Sequence, residues 1–156
     1  MYKRQLFEKF GIYTKAELES REEIIYETYA KTINIEALTM IDMAGKQIIP
    51  AVVKYTKTLA DTANAIKAAG GDASVQTELL ADVSTKLAAM QKELNKLVAD
   101  EKEASAMEDV KAQAFFYKDT IKATMDELRK PADELEMIVD KDVWPIPTYG
   151  ELMFEV

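Results

Sequence analysis

Carboxylates are the only side chains in this sequence with an obvious catalytic use. The chain has no histidine and no cysteine. Thiolate metal sites, disulfides, a cysteine nucleophile, Ser-His-Asp catalysis and the Glu-x-x-His ligands of di-iron bundles are therefore excluded. Glu36 and Asp42 are the pair to weigh. Six residues apart on one helix they point to different faces, too dispersed to share a metal. Glu36 with Thr32 and Thr39 reads more simply as a partly buried polar stripe. Tyr26, Tyr29, Tyr55, Phe115, Phe116 and Tyr117 stand at helical spacing, expected of core rather than of a stacking pocket. Met40, Met43, Met90 and Met107 read as core filler before an adaptable groove. Lys54 and Lys57 lack the arginine fork of a phosphate site. The five glycines build neither a phosphate loop nor a dinucleotide fingerprint. No catalytic, cofactor-binding or metal-binding residue is assigned.

The elements that would position any site are helical. At 156 residues, 48% hydrophobic and 31% charged, the chain fits one domain with a real core. Its 28 acids against 20 bases give a net charge of -8, which argues against a nucleic-acid partner. No apolar stretch approaches the roughly 18 residues of a membrane span, and no signal-peptide core is present. A cytoplasmic location is expected.

Leu6 to Phe10 reads as a short helix closed by Gly11, and Thr14-Lys15-Ala16-Glu17 as a capping box. Apolar residues then recur at helical spacing through Leu18, Ile25, Tyr29, Ile33, Met40 and Met43. Residues 33–44 are apolar on nearly every side, so part of that surface should face something beyond an ordinary bundle. Gly45 and Pro50 predict a break or bend, with helix resuming to about Ala69. Gly70-Gly71-Asp72 is a turn, with Asp72 or Ser74 as the next cap. Leu80, Val83, Leu87, Met90, Leu94 and Leu97 form a heptad seam. Ser105-Ala106-Met107-Glu108 offers a further capping box. Met107, Val110, Ala114, Tyr117 and Ile121 begin another seam, extended by Leu128, Ala132, Leu135 and Val139 with a kink at Pro131.

The tail changes character. Trp144-Pro145-Ile146-Pro147-Thr148-Tyr149-Gly150 should not be helical, because each proline also extends its predecessor. The tail holds the only tryptophan and ends in Leu152-Met153-Phe154. Disordered tails are poor in aromatics, so this one should be bound. The docking residues expected are Trp144, Pro145, Pro147, Tyr149, Leu152 and Phe154. They either fold back on the helices or dock on another domain or subunit.

Three blocks resemble type III glutamine synthetases. The first is Leu6-Phe7-Glu8-Lys9-Phe10-Gly11-Ile12-Tyr13-Thr14 with Glu17-Leu18 and Ser20-Arg21. The second is Lys31-Thr32-Ile33-Asn34-Ile35-Glu36-Ala37-Leu38-Thr39-Met40-Ile41-Asp42-Met43-Ala44, followed by Ile49-Pro50-Ala51. The third is Ala132-Asp133-Glu134-Leu135-Glu136 with Trp144-Pro145-Ile146-Pro147-Thr148-Tyr149-Gly150-Glu151-Leu152-Met153-Phe154. They stand in the order of that family's helical C-terminal segment. The resemblance implies a parent ligase that joins ammonia to glutamate through a phosphorylated γ-carboxyl, using ATP and magnesium. It also implies a homo-oligomeric ring in the cytoplasm. The family's metal, nucleotide and substrate residues match no position here, so no cofactor is expected in this segment itself. The implied partners are the catalytic domain and neighbouring subunits, with no nucleic acid or membrane.

Taken together, the expected fold is all-α: an elongated antiparallel bundle of three to four long helices with an extended Trp/Pro-rich C-terminal tail. The division expected is residues 1–5 as a non-native leader, 6–142 as the bundle and 143–156 as a docking tail. The leader reading rests on Met1-Tyr2-Lys3-Arg4-Gln5, whose back-translation resembles a transposon end used to tag sequencing libraries. The expected function is a non-catalytic, oligomer-organising part of a glutamine synthetase. The alternative is a free-standing coiled-coil module pairing through the Leu80–Leu97 seam.

Overall fold

A computed structural model describes residues 2–147 and 149–154, with side chains over 6–147 and 151–154. Every regular element among them is helical. Helix α1 (Tyr2–Lys9) ends as its sequence predicts. Gly11 takes φ 64°, and the Ile12 amide donates back to the Phe7 carbonyl at 3.0 Å. Such a left-handed cap suits glycine, which has no Cβ to clash. The structure places the backbone of Tyr2 to Gln5 within α1, while Met1 lies outside the described residues.

Helix α2 (Lys15–Met43) begins at the expected capping box. The Thr14 amide and hydroxyl donate to the Glu17 carboxylate at 2.7 and 2.8 Å, and the Glu17 amide donates to the Thr14 hydroxyl at 3.3 Å. Those two bonds from Thr14 hold the Glu17 carboxyl below its ordinary 4.5. At Gly45 and Pro50 the α-helix is interrupted, as expected, but the chain does not leave helical geometry: a π-turn, Ala44–Ile48, joins α2 to α3 (Ile49–Ala68), with Pro50 in the first turn of α3. Proline has no amide and its ring collides with the carbonyl four residues back. Here the Ile49 amide reaches five residues back to Ala44, and the wider turn accommodates the proline just after it. The continuous rod is roughly 80 Å long at about 1.5 Å per residue.

Gly70, at φ 77°, reverses the chain. Ala73 holds the N-cap position of α4 (Ser74–Ser105), and Asp72 just before it accepts from the Ser74 amide at 2.9 Å. The capping box expected at Ser105 is not used. Ser105 ends α4, and Asp109 caps α5 (Val110–Phe116) by accepting from the Lys111 and Ala112 amides. Aspartate competes well as an N-cap, and it stands directly before the helix start. A second π-turn, Tyr117–Ile121, leads into α6 (Lys122–Glu136), which passes through Pro131. No proline accompanies this second π-turn.

Cross-contacts set the directions. Gly45 faces Leu94 and Asn34 bonds Glu101, so α2–α3 run antiparallel to α4. Gln113 donates to the Ala104 carbonyl, Thr124 to Asp100, and Lys86 pairs with Glu134, so α5–α6 turn back along α4. Lys111 meets Glu22, Phe115 meets Tyr26 and Tyr117 meets Asn34, so α2 and α5–α6 run the same way. The three runs are staggered, so each end of the long rod has only one long helical neighbour.

The core follows the predicted seams. Val83, Met90, Leu94 and Leu97 are buried, with Leu80 and Leu87 half-buried beside them. They pack with Ile48 and Val52 from one side and Ile121, Leu128 and Leu135 from the other. Tyr117 is buried and supplies the node of the three runs: Asn34 donates to its hydroxyl at 2.5 Å and to Glu101 at 3.2 Å. The polar stripe expected around Glu36 is exposed instead. Thr32 and Thr39 donate to the carbonyls of Thr28 and Ile35, satisfying their hydroxyls within the helix.

Two outcomes test this packing. Leu97→Ala should cost about 2–5 kcal/mol in urea denaturation, because a fully buried leucine leaves a cavity. Leu38→Ala, on an exposed face, should stay within about 0.5 kcal/mol. The capping box should respond to acid. A carboxyl lowered in the folded state stabilises above its unfolded value and loses that contribution as pH falls through the folded one. Protection of the amides in the first turn of α2, measured against their intrinsic exchange rates, should therefore fall as pH drops below 4.5. In Glu17→Gln that fall should flatten.

Candidate functional site

A groove of about 630 Å³ lies between α2, α6 and the tail. Helical spacing puts Met40 and Met43 on its α2 wall and Met125 and Leu128 on its α6 wall. Met90 closes the floor, and Trp144 and Ile146 close one end. Glu36, Asp133, Glu136 and Arg129 complete the lining with charge. Arg129 bonds Asp133 through Nε at 3.2 Å, whereas neither Glu36 nor Glu136 has an ion pair among the described residues.

The tail reaches the groove through an Asx turn. The Asp142 amide donates to the Asp140 carboxylate at 2.9 Å, and the Val143 and Trp144 amides donate to the Asp140 carbonyl at 2.9 Å. This turn swings Trp144 back onto the core, where it and Ile146 are half-buried. The non-helical stretch is shorter than expected. Tyr149 and Gly150 already belong to α7 (Tyr149–Phe154). Past Pro147 no further proline blocks a helix, and Lys141 pairs with Glu151 at 2.9 Å beside it.

Of the expected docking residues, Trp144, Pro147 and Leu152 line the groove together. Pro145 is exposed on the other side, near Lys54 and Pro50. Phe154 is 80% exposed, Met153 70% and Leu152 66%. The side chain of Tyr149 lies outside the described residues. The tail is thus anchored at its start and bare at its end. Sequence reasoning did not assign Met125, Glu136 or Ile146 to a site. The methionines offered the available signal, and three of the four weighed, Met40, Met43 and Met90, do line this groove.

Further exposed apolar residues lie on α2, with Ile35 among them at the edge of the groove. At about 100° per residue, Ile24, Ile35 and Leu38 fall within about 60° of one another, opposite the buried Ala30, Ile33 and Ala37. They are 57%, 65% and 46% exposed. Residues 33–44 are thus apolar on both faces as read from sequence, but only one of them is buried within this chain.

Asp42 is tied to Lys46, and no group of three or more potential metal ligands exists among the described residues. No helix there is long and apolar enough to cross a membrane. The described residues form an all-helical segment with apolar surface left over.

Comparison with known proteins defines the class first. Residues 2–67, which take in α1, α2 and almost all of α3, match the family model of the glutamine synthetase C-terminal domain. The match then widens to particular relatives. The glutamine synthetase of Butyrivibrio fibrisolvens is 39% identical over 153 residues, covering 97% of this chain and 22% of the relative. The type-3 glutamine synthetase of Dictyostelium discoideum is 31% identical over 156 residues, covering 96% of this chain and 21% of the relative. The glutamine synthetase of Bacteroides fragilis is 28% identical over 149 residues, covering 92% and 20%. The chain is thus similar along nearly its whole length to these glutamine synthetases, matches the C-terminal domain model over residues 2–67, and spans about a fifth of the relatives' length.

Anchoring of the tail is testable with Trp144 itself, the only tryptophan. Trp144→Ala should free residues 145–156, seen as faster proteolytic trimming, at a cost of about 1–3 kcal/mol since the ring is only half-buried. Equal trimming of the variant and the parent chain would show that Trp144 holds nothing.

Proposed function

We propose that this chain is a non-catalytic, assembly-organising C-terminal part of a glutamine synthetase, an ATP-dependent glutamate–ammonia ligase of the cytoplasm. Its helices form an elongated antiparallel bundle that braces the catalytic domain and neighbouring subunits of a homo-oligomer. ATP and magnesium act in the parent's catalytic part, and no residue of this segment holds them.

One observation carries the reading: Ile35 and Leu38, about one turn apart on α2, are exposed on the side away from the residues that helix buries. An outer helix needs one apolar face only, and large apolar residues on the opposite side suit another body against them. The bare Leu152, Met153 and Phe154 supply a further contact of the same kind. A free-standing coiled-coil module fits less well. The Leu80–Leu97 seam it would use is occupied by α3 and α6, with Val83, Met90 and Leu97 fully buried.

The test belongs in the intact enzyme. Ile35→Glu with Leu38→Glu, or removal of residues 144–156, should break the assembly into smaller species in sedimentation and lower ligase activity with it. The isolated chain carrying the glutamates should fold as before. Assembly and turnover unchanged in both variants would end the bracing role.

A further inference from the structure

The groove under the tail has features that a contact surface alone does not require. Its volume, about 630 Å³, lies in the range of small-molecule sites, and its lining is mostly apolar with a few polar groups. Four methionines, Met40, Met43, Met90 and Met125, give it walls that adjust to the shape of an occupant. The π-turn Ala44–Ile48 contributes Ala44 and Ile48, and π-turns recur at functional sites. The charge is one-sided: Arg129 is engaged with Asp133, while Glu36 and Glu136 have no ion pair among the described residues.

We propose that this groove binds an amphipathic organic cation, its apolar chain or ring among the methionines and Trp144 and its positive head at Glu36 and Glu136. The chain's own tail is a poor occupant. It brings Glu151 and Glu155, so a second copy's tail would add like charge to an acidic rim. An apolar carboxylate is disfavoured for the same reason.

Trp144 closes the groove and reports on it without any label. Octylamine, octanol and octanoate share one apolar chain and differ only in the head. Titrated below micelle formation into the 156-residue chain, octylamine should shift Trp144 emission and saturate. Octanol should bind about five- to tenfold more weakly and octanoate more weakly still, the size expected of two partly exposed charge contacts. Glu36→Gln with Glu136→Gln should bring octylamine down to octanol's affinity. Both positions are on the surface, so circular dichroism should be unchanged. Ala132→Phe, which intrudes on the groove, should weaken all three ligands. Equal binding of the three heads, or an unmoved Trp144 signal at saturating octylamine, would overturn the proposal. So would octylamine binding that survives the double substitution, because the head would then lie elsewhere. None of these outcomes depends on the glutamine synthetase reading, which is judged by assembly of the intact enzyme.

Discussion

Burial of one seam on α4 organises this molecule. Val83, Met90 and Leu97 are fully enclosed because α3 covers one flank of the helix and α6 the other. Burying a leucine or methionine contributes roughly 1.5–3 kcal/mol, so four to six such residues outweigh every ion pair on the surface. The polar groups refine what the seam begins. Asn34, Glu101 and Tyr117 meet where the three runs cross, and their geometry is satisfied in one register only. Sliding any helix by a turn would leave the Tyr117 hydroxyl buried without its donor, at a cost of about 1–3 kcal/mol. Apolar burial supplies the energy here, and the polar node supplies the alignment.

The stagger of the three runs explains why apolar surface remains outside. A rod of roughly 80 Å cannot be covered along its length by α4, which at 32 residues is about 48 Å. Towards the N-terminal end of α2 the long neighbour is α5, through Lys111–Glu22 and Tyr26–Phe115. Ile24 and Ile25 are bare there, and Ile35 and Leu38 are bare nearer the middle, with Thr28 and Lys31 between them. Single exposed apolar residues need no explanation, and the adjacent pair Ile35 and Leu38 is the part that asks for one. It lies within residues 2–67, where the family model matches.

The sequence made much of this legible, and its failures have physical causes. Seams, the capping box at Thr14 and Glu17, and the Gly11 and Gly70 turns are local signals, set by spacing within a few residues, and each appears where it was read. The interruption near Gly45 and Pro50 was legible but its form was not, because a proline forbids one hydrogen bond, not a helix. A turn widened to reach Ala44 removes the conflict, and propensity alone does not foresee that. The unused capping box at Ser105 lost to Asp109, an equally good cap placed better for the helix that follows. The site was harder to read. Met40, Met125 and Trp144 are brought together from three elements by tertiary packing, and nothing in their spacing announces it.

The tail shows how one segment can be bound and available at once. Its amides at Val143 and Trp144 are satisfied by Asp140, so the backbone enters the groove without leaving a polar group bare. Trp144 and Ile146 then bury part of their surface, which offsets the entropy of ordering the short stretch between the two prolines. Prolines lower that entropy further, since their φ is already fixed. Beyond Pro147 the balance changes. Lys141 and Glu151 form a surface pair worth little, and Leu152, Met153 and Phe154 gain almost no burial within the chain. A helix of six residues is too short to stand by propensity alone. Within this chain its order rests on the Lys141–Glu151 pair and on Leu152 at the edge of the groove, while Met153 and Phe154 stay bare beside it.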